Sequence, residues 1–255
     1  MLSLDRRRAF GPWFFIAIAA YIALYFNDVS YIFMDEQGDA LATFAMAGSM
    51  GMVTYIMPLF AALPFSTAFC ADWNSGFAHH AAMRSGNGRY LLSKALACFF
   101  SGGLATALGT AVFIGMLNLK FPQSGDILAN YVTVDPFTHV LNLGAPKGLL
   151  LYYGGVVAMQ FLAGGCWAMM ALAFSAFCPN VLLTLCIPLA AYRLSLELYY
   201  WFEPPYWLNL PLLQDCMVEL SYRDTLLAGL GVFGGLSLIM GVLFAARAGR
   251  RLRYG

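Results

Sequence analysis

Leu91-Leu-Ser-Lys-Ala-Leu-Ala-Cys-Phe-Phe-Ser-Gly-Gly-Leu-Ala-Thr-Ala-Leu-Gly-Thr-Ala-Val-Phe-Ile-Gly-Met-Leu117 carries a single charge, Lys94, near its start. About 20 apolar residues at helical rise cross a hydrocarbon core, so this run predicts a membrane-spanning helix. Five further runs have the same character: Phe10–Phe26, Gly48–Phe69, Gly148–Phe177, Val181–Trp201 and Thr225–Ala246. None shows the alternating ten-residue pattern of a membrane barrel. The chain reads as an all-α polytopic membrane protein: six transmembrane helices forming one domain over residues 1–255. Composition agrees, with 61% hydrophobic and 11% charged residues and a mean hydropathy of +0.70. A soluble domain of 255 residues has too little interior to hide that much apolar surface. The loops leave no room for a soluble domain. Arg6, Arg7 and Arg8 precede the first run as they would in a signal peptide, but no small-x-small cleavage site follows, so it is read as a retained helix.

The net charge of +1 hides an asymmetry. Arg6, Arg7 and Arg8, then Arg84, Arg89 and Lys94, then Arg247, Arg250, Arg251 and Arg253 hold ten of the fourteen Lys and Arg residues. Intervening loops carry Asp28, Asp35, Glu36, Asp39, Asp126, Asp135, Glu203, Asp215, Glu219 and Asp224. The positive-inside bias puts both termini and the second–third loop in the cytoplasm of a plasma-membrane protein. An even helix count requires both termini on one side, and both are basic. The same cations flank apolar helices, which fits topology and anionic headgroups rather than nucleic acid.

The second run contains Pro58 and Pro64, which predict kinks. After it, Asn74 or Ser75 is placed to cap a short cytoplasmic helix reaching about Arg84, ended by Ser85-Gly-Asn-Gly88. Trp73 and Phe77 would face the membrane interface. Small residues (Gly102, Gly103 and Gly109 in the third helix, Gly154-Gly155 and Gly164-Gly165 in the fourth, Gly231-x-x-x-Gly235 in the sixth) predict close helix packing. A tight turn is expected at Cys178-Pro-Asn180. The last external stretch, Phe202 to Asp224, is half apolar and broken by Pro204, Pro205 and Pro211. A short amphipathic helix is expected within Leu210–Leu220, with Tyr206 and Trp207 as interfacial anchors.

Arg193 and Glu197 lie one turn apart in the fifth helix. A charge near the midplane costs about 2.5–3.5 kcal/mol on insertion scales. Two readings stand: with Tyr199 and Glu203 they line a translocation path or gate, or they form a local ion pair near the helix end. His79 and His80 point about 100° apart on a helix and cannot easily chelate one ion; they read as a solvated or partner-facing surface. The six cysteines lack a C-x-x-C and read as small buried hydrophobes. No phosphate-binding G-x-x-x-x-G-K-[ST], H-E-x-x-H or G-x-S-x-G is present, which argues against enzymatic chemistry within this chain.

The stretch Phe69-x-x-Asp72-x-x-x-Gly76, followed by Arg89-Tyr90-x-x-x-Lys94, in a chain of six expected helices, resembles the permease subunits of bacterial ABC transporters of the type-2 exporter class. The resemblance implies a cytoplasmic coupling helix, an external re-entrant segment before the last helix, and a second permease copy or paralogue. It also implies a separate ABC ATP-binding subunit that holds ATP and Mg, with no cofactor on this chain. Asp72, Trp73, Gly76, Phe77, His80, Arg84 and Arg89 would then be the ATPase-docking residues. Asp stands at position 72 where the family commonly has Glu, and the lead Met1–Ala9 is short for the family's interface helix. Rival readings are an autonomous secondary transporter, for which no inverted repeat is evident, a membrane-embedded enzyme, and a non-transporting immunity or assembly subunit.

Overall fold

The computed structural model describes residues 2–30, 40–121, 146–202, 205, 208–216, 218 and 220–254. Asp35, Glu36, Asp39, Asp126, Asp135, His139, Glu203, Pro204, Tyr206, Trp207 and Glu219 lie outside the described residues. The described chain is all-helical: α1 (Leu2–Ala9), α2 (Pro12–Asp28), α3 (Ala40–Met50), α4 (Met52–Ala62), α5 (Ala68–Asn74), α6 (Phe77–Ser85), α7 (Asn87–Lys120), α8 (Pro146–Ser175), α9 (Val181–Phe202), α10 (Leu210–Gln214) and α11 (Tyr222–Tyr254). Five stretches are long and apolar enough to cross a membrane: Leu4–Asp28, Asn87–Lys120, Lys147–Ser175, Val181–Phe202 and Tyr222–Arg253.

The second expected span is where sequence and structure part. It is not one helix over 48–69 but α3 and α4, split at Gly51, with only Met52–Ala62 as a short apolar helix. Gly51 is extended, and any side chain there would strike Ala47 O and the Asp28 carboxylate. Asp28 Oδ2 accepts from Val53 N at 2.8 Å, so a carboxylate at the end of α2 caps the start of α4. Pro58 remains inside α4, whereas Pro64 sits in the turn after it. Asp28→Ala is expected to cost about 1 kcal/mol, the usual worth of a cap, read from unfolding by SDS in mixed micelles.

α8 is the axis of the bundle, packed on α7, α11, α4 and α9. The α7–α8 crossing is close because the sequence is small there. A Cβ added to Gly102 would meet Ala168, Ala61 O and Gly164 O, and one added to Gly164 would meet Thr106. Thr106 Oγ1 uses that proximity to donate to Gln160 O across the interface at 2.8 Å. In lipid, where no hydrophobic drive joins helices, such contact is the main adhesive. Gly229 and Gly241 of α11 likewise press on Met159 and Met169 of α8. The expected packing at Gly154, Gly231 and Gly235 is not used among the described residues: none of them lies near a Cβ placed there.

One end of the bundle gathers α1, the α5–α6 hairpin, the turn at residues 176–180 and the end of α11. Arg251 Nη2 donates to Phe177 O at 2.8 Å, and its guanidinium lies 5.4 Å from the Trp73 ring centroid. The basic segments thus share one end. The end of α2, the start of α4 and α10 form the other, where Asp28 caps Val53 and Thr54 lies beside Asp215.

Candidate functional site

Lys94, the lone charge of the opening stretch, is 1% exposed and holds two carboxylates: Asp5 Oδ1 at 2.8 Å and Asp72 Oδ2 at 2.7 Å. Arg8 Nη1 donates to Asp72 Oδ1 at 2.8 Å, Tyr90 OH donates to Asp72 Oδ2 at 3.0 Å, and Ser93 Oγ donates to Asp5 Oδ2. Two acids and two bases therefore balance. The ammonium also sits 5.0 Å from the Phe65 ring centroid. An uncompensated charge here would be costly, but each carboxylate is both paired and hydrogen-bonded. The network rivets α1 to α5 and α7.

Asp72, expected among the docking residues, belongs to this network. Asp72 is buried, and its two oxygens are taken by Arg8, Lys94 and Tyr90. It is nearly covered, yet it also lines a cleft beside the exposed surface. The surface itself is α6. The helix starts at Phe77 with its cap at Gly76, one to two residues later than expected, because Gly76 has φ 72 and turns the chain in the left-handed region that favours glycine. Ala78, Ala81 and Ala82 are buried, while Phe77, His80, Met83 and Arg84 are exposed. The inner face is thus small and the outer face carries ring, imidazole, thioether and guanidinium. A cleft of about 640 Å³ lies beside it, lined by Arg8, Ala71, Asp72, Ser75, Phe77 and His80. Trp73 points elsewhere, stacked on Phe69 and contacting His79. Arg89 is exposed in the first turn of α7, which begins at Asn87, before the expected start.

On α9, Arg193 Nη2 and Glu197 Oε1 are 2.6 Å apart, with 67% and 46% of their side chains exposed. The pair lies within one helix, in the second half of α9, and both side chains are exposed in the single chain. Tyr199 belongs to a separate groove of about 660 Å³ between α9 and α11, with Ser195, Leu198, Gly231, Gly235 and Ile239. Arg193, Glu197 and Tyr199 thus do not converge on one internal path.

A third constellation was not anticipated. Tyr21 OH donates to Gln160 Oε1 at 3.3 Å, and Gln160 Nε2 donates to Asp215 Oδ1 at 3.0 Å. Tyr25 OH lies 3.5 Å from Tyr21 OH. Trp167 Nε1 donates to Gln214 Oε1 at 3.2 Å. Gln214 Nε2 and Thr110 Oγ1 are buried and make no close hydrogen bond among the described residues, the first lying near the Asp215 carboxyl and the second near the tyrosine hydroxyls. Burial pushes the Asp215 carboxyl up to about 7, against the lowering effect of its hydrogen-bonding neighbours. The segment carrying it is shorter than expected. α10 spans five residues, opened by the Asn209 side chain accepting from Leu212 N, and the chain leaves it through Cys216 at φ 57. Gln160 is the lone amide side chain in α8, and that was the signal available in sequence. Asp5, by contrast, is a single acid among arginines and gives no hint of its partners.

Cys70, Cys98, Cys166 and Cys216 are buried, as expected of small apolar side chains, whereas Cys178 is half-buried and Cys186 is exposed. Among the described residues no group of His, Cys, Asp and Glu is arranged to hold a metal ion. Compared with known proteins, the chain matches no family, no curated protein and no solved structure.

Proposed function

We propose that the chain is the permease subunit of an ATP-driven exporter in the cell membrane. In this reading both termini and α6 are cytoplasmic, α6 docks a separate ATP-hydrolysing subunit, and a second permease copy or paralogue completes the path. The segment 208–220 caps the outer side as a re-entrant element. The observation that carries the reading is the construction of α6. A short helix with an alanine inner face lies against α7, and the adjoining α5 is pinned by the buried Asp5–Lys94–Asp72–Arg8 network, while α6 presents Phe77, His80, Met83 and Arg84 outward. A lever must be rigid at its base and complementary at its tip to pass motion from a partner to the spans. The sequence contains no phosphate-binding loop of its own, so the energy source belongs to the partner.

The outer surface of α9 and α11 supports pairing. An Arg–Glu pair within an apolar helix is poorly placed against lipid. The Gly231-x-x-x-Gly235 face beside it is open. A second permease would cover both.

The docking reading is tested by tagging the chain in its native membrane and measuring the ATP-hydrolysing subunit that co-purifies with it. The combined Phe77→Ala, His80→Ala and Arg84→Glu variant is expected to recover at least about tenfold less ATPase, since interface anchors carry most of the energy. The variant's unfolding midpoint should match the parent's, because all three side chains are exposed. Undiminished recovery would remove the docking role of α6. Pairing is tested separately by energy transfer between labelled copies in vesicles. Gly231→Leu with Gly235→Leu is expected to abolish the transfer.

A further inference from the structure

We propose that Arg247 and Arg251 form a phosphate site at the membrane surface, and that its occupant is the headgroup of an anionic phospholipid. The inference needs only that the chain spans a membrane and stands apart from the transport reading. Its first basis is depth. Between Asp224 and Arg247 the last helix carries no charge. Residues 225–246 rise about 33 Å at helical pitch, against about 30 Å for a hydrocarbon core. Arg247 is thus the first charge past the core, at the level of lipid phosphates. Arg251 lies one turn further out.

Both guanidiniums are held on the turn before α9. That of Arg247 lies 5.4 Å from the Phe177 ring centroid. Arg251 donates to the Phe177 carbonyl at 2.8 Å and lies over Trp73. The turn itself is braced, since Asn74 Nδ2 donates to Pro179 O at 3.2 Å. Like charges one turn apart on a helix repel each other, yet one phenylalanine gathers both. No carboxylate offsets them: the ion pairs among the described residues use Arg8, Lys94 and Arg193, never an arginine of α11. Asp72, at the same end, is already bound by Arg8, Lys94 and Tyr90. Among the described residues Arg247 makes no hydrogen bond, so all its N–H donors, and most of those of Arg251, remain free for a ligand.

A guanidinium meets a phosphate through a planar fork of donors, and two guanidiniums offer two forks. The first amides of α9 add nothing, because Leu182 N and Leu183 N are spent on Asn180 Oδ1. The surroundings select a lipid over a free anion. Phe177, Val181 and Leu182 on the turn and α9, and Leu243 one turn before Arg247, are exposed and apolar. A phosphate held here sits at the edge of an apolar surface, where the acyl chains it carries add their own anchorage. Arg250 and Arg253 differ: they are exposed, with no ring contact, ion pair or hydrogen bond among the described residues. They provide positive charge without a built site.

The test places the full chain in phosphatidylcholine vesicles and measures, by electron paramagnetic resonance, its association with spin-labelled phosphatidylglycerol and spin-labelled phosphatidylcholine. The parent is expected to prefer phosphatidylglycerol by at least about fivefold, the worth of one arginine near a membrane surface. Arg247→Gln with Arg251→Gln is expected to bring the ratio close to one. Arg250→Gln with Arg253→Gln removes the same charge and is expected to lower the ratio by no more than about twofold. Arg251→Gln also removes a bond to the turn, so Arg247→Gln alone is the second variant. It breaks no hydrogen bond and is expected to lower the ratio by more than about twofold. Millimolar inorganic phosphate at constant ionic strength is expected to leave the ratio unchanged. No preference in the parent, equal losses in the two double variants, or no loss in Arg247→Gln would overturn the site. Displacement by inorganic phosphate would overturn the lipid as its occupant.

Discussion

Lys94→Met is expected to release the N-terminal helix and cost about 3–5 kcal/mol, the usual penalty for breaking a buried pair from one side. Methionine fills much of the same volume, so the loss isolates the charge. Asp5 and Asp72, both nearly fully buried, would be left without their shared ammonium. Arg8 could still hold Asp72, but Asp5 would have only Ser93. The measurement is SDS unfolding in mixed micelles followed by circular dichroism. Adding Asp5→Asn and Asp72→Asn to Lys94→Met removes the orphaned charges, and that triple variant is expected to recover most of the loss. A single variant as stable as the parent would mean that the network does not hold α1 in place.

Gly164→Leu carries the second large effect. The position faces Thr106 and the Gly102 carbonyl across the α7–α8 crossing. A leucine there forces the two longest-packed helices apart and breaks the Thr106–Gln160 bond. About 3 kcal/mol or more is expected, at the upper end for overpacking because the stiff β-branched Thr106 side chain and the Gly102 carbonyl must yield. Gly231→Leu is the internal comparison. None of the described residues lies near that position, so the monomer's unfolding is expected to change by less than about 0.5 kcal/mol. Equal losses at the two sites would contradict the assigned packing.

The long apolar runs made most of the fold legible, because a bilayer-length helix is a strong, local signal. The second span was misread for a non-local reason. Its break at Gly51 is supported by Asp28, a residue of the preceding helix that sequence assigned to a loop. Glycine alone did not reveal it; Gly102 and Gly103 sit inside a continuous helix. At the basic end, Asp72, Tyr90 and Lys94 stand out together in the sequence and do meet in space, in a buried network. Sequence spacing shows which residues share a helix face. It does not show that Asp5 and Arg8, more than sixty residues earlier, would arrive to bury that face. Beyond the lone amide of Gln160, the Asp215 constellation was hidden for the same reason: its members come from α2, α4, α8 and the segment before α11.

The central claim is a polytopic bundle with α6 and both chain ends on the cytoplasmic side and the 208–216 segment outside. Cysteine placed at Met83, Arg250 or Leu208 can be tagged with a membrane-impermeant maleimide, first in intact cells and then in inverted vesicles, with native cysteines as the mapped baseline. Met83 is 74% exposed and Leu208 40%, so both can react. Tagging of positions 83 and 250 only in inverted vesicles, and of position 208 only in intact cells, is the expected pattern. Tagging of position 83 from the outside of intact cells would contradict it, since the proposed motor contact would then face away from ATP.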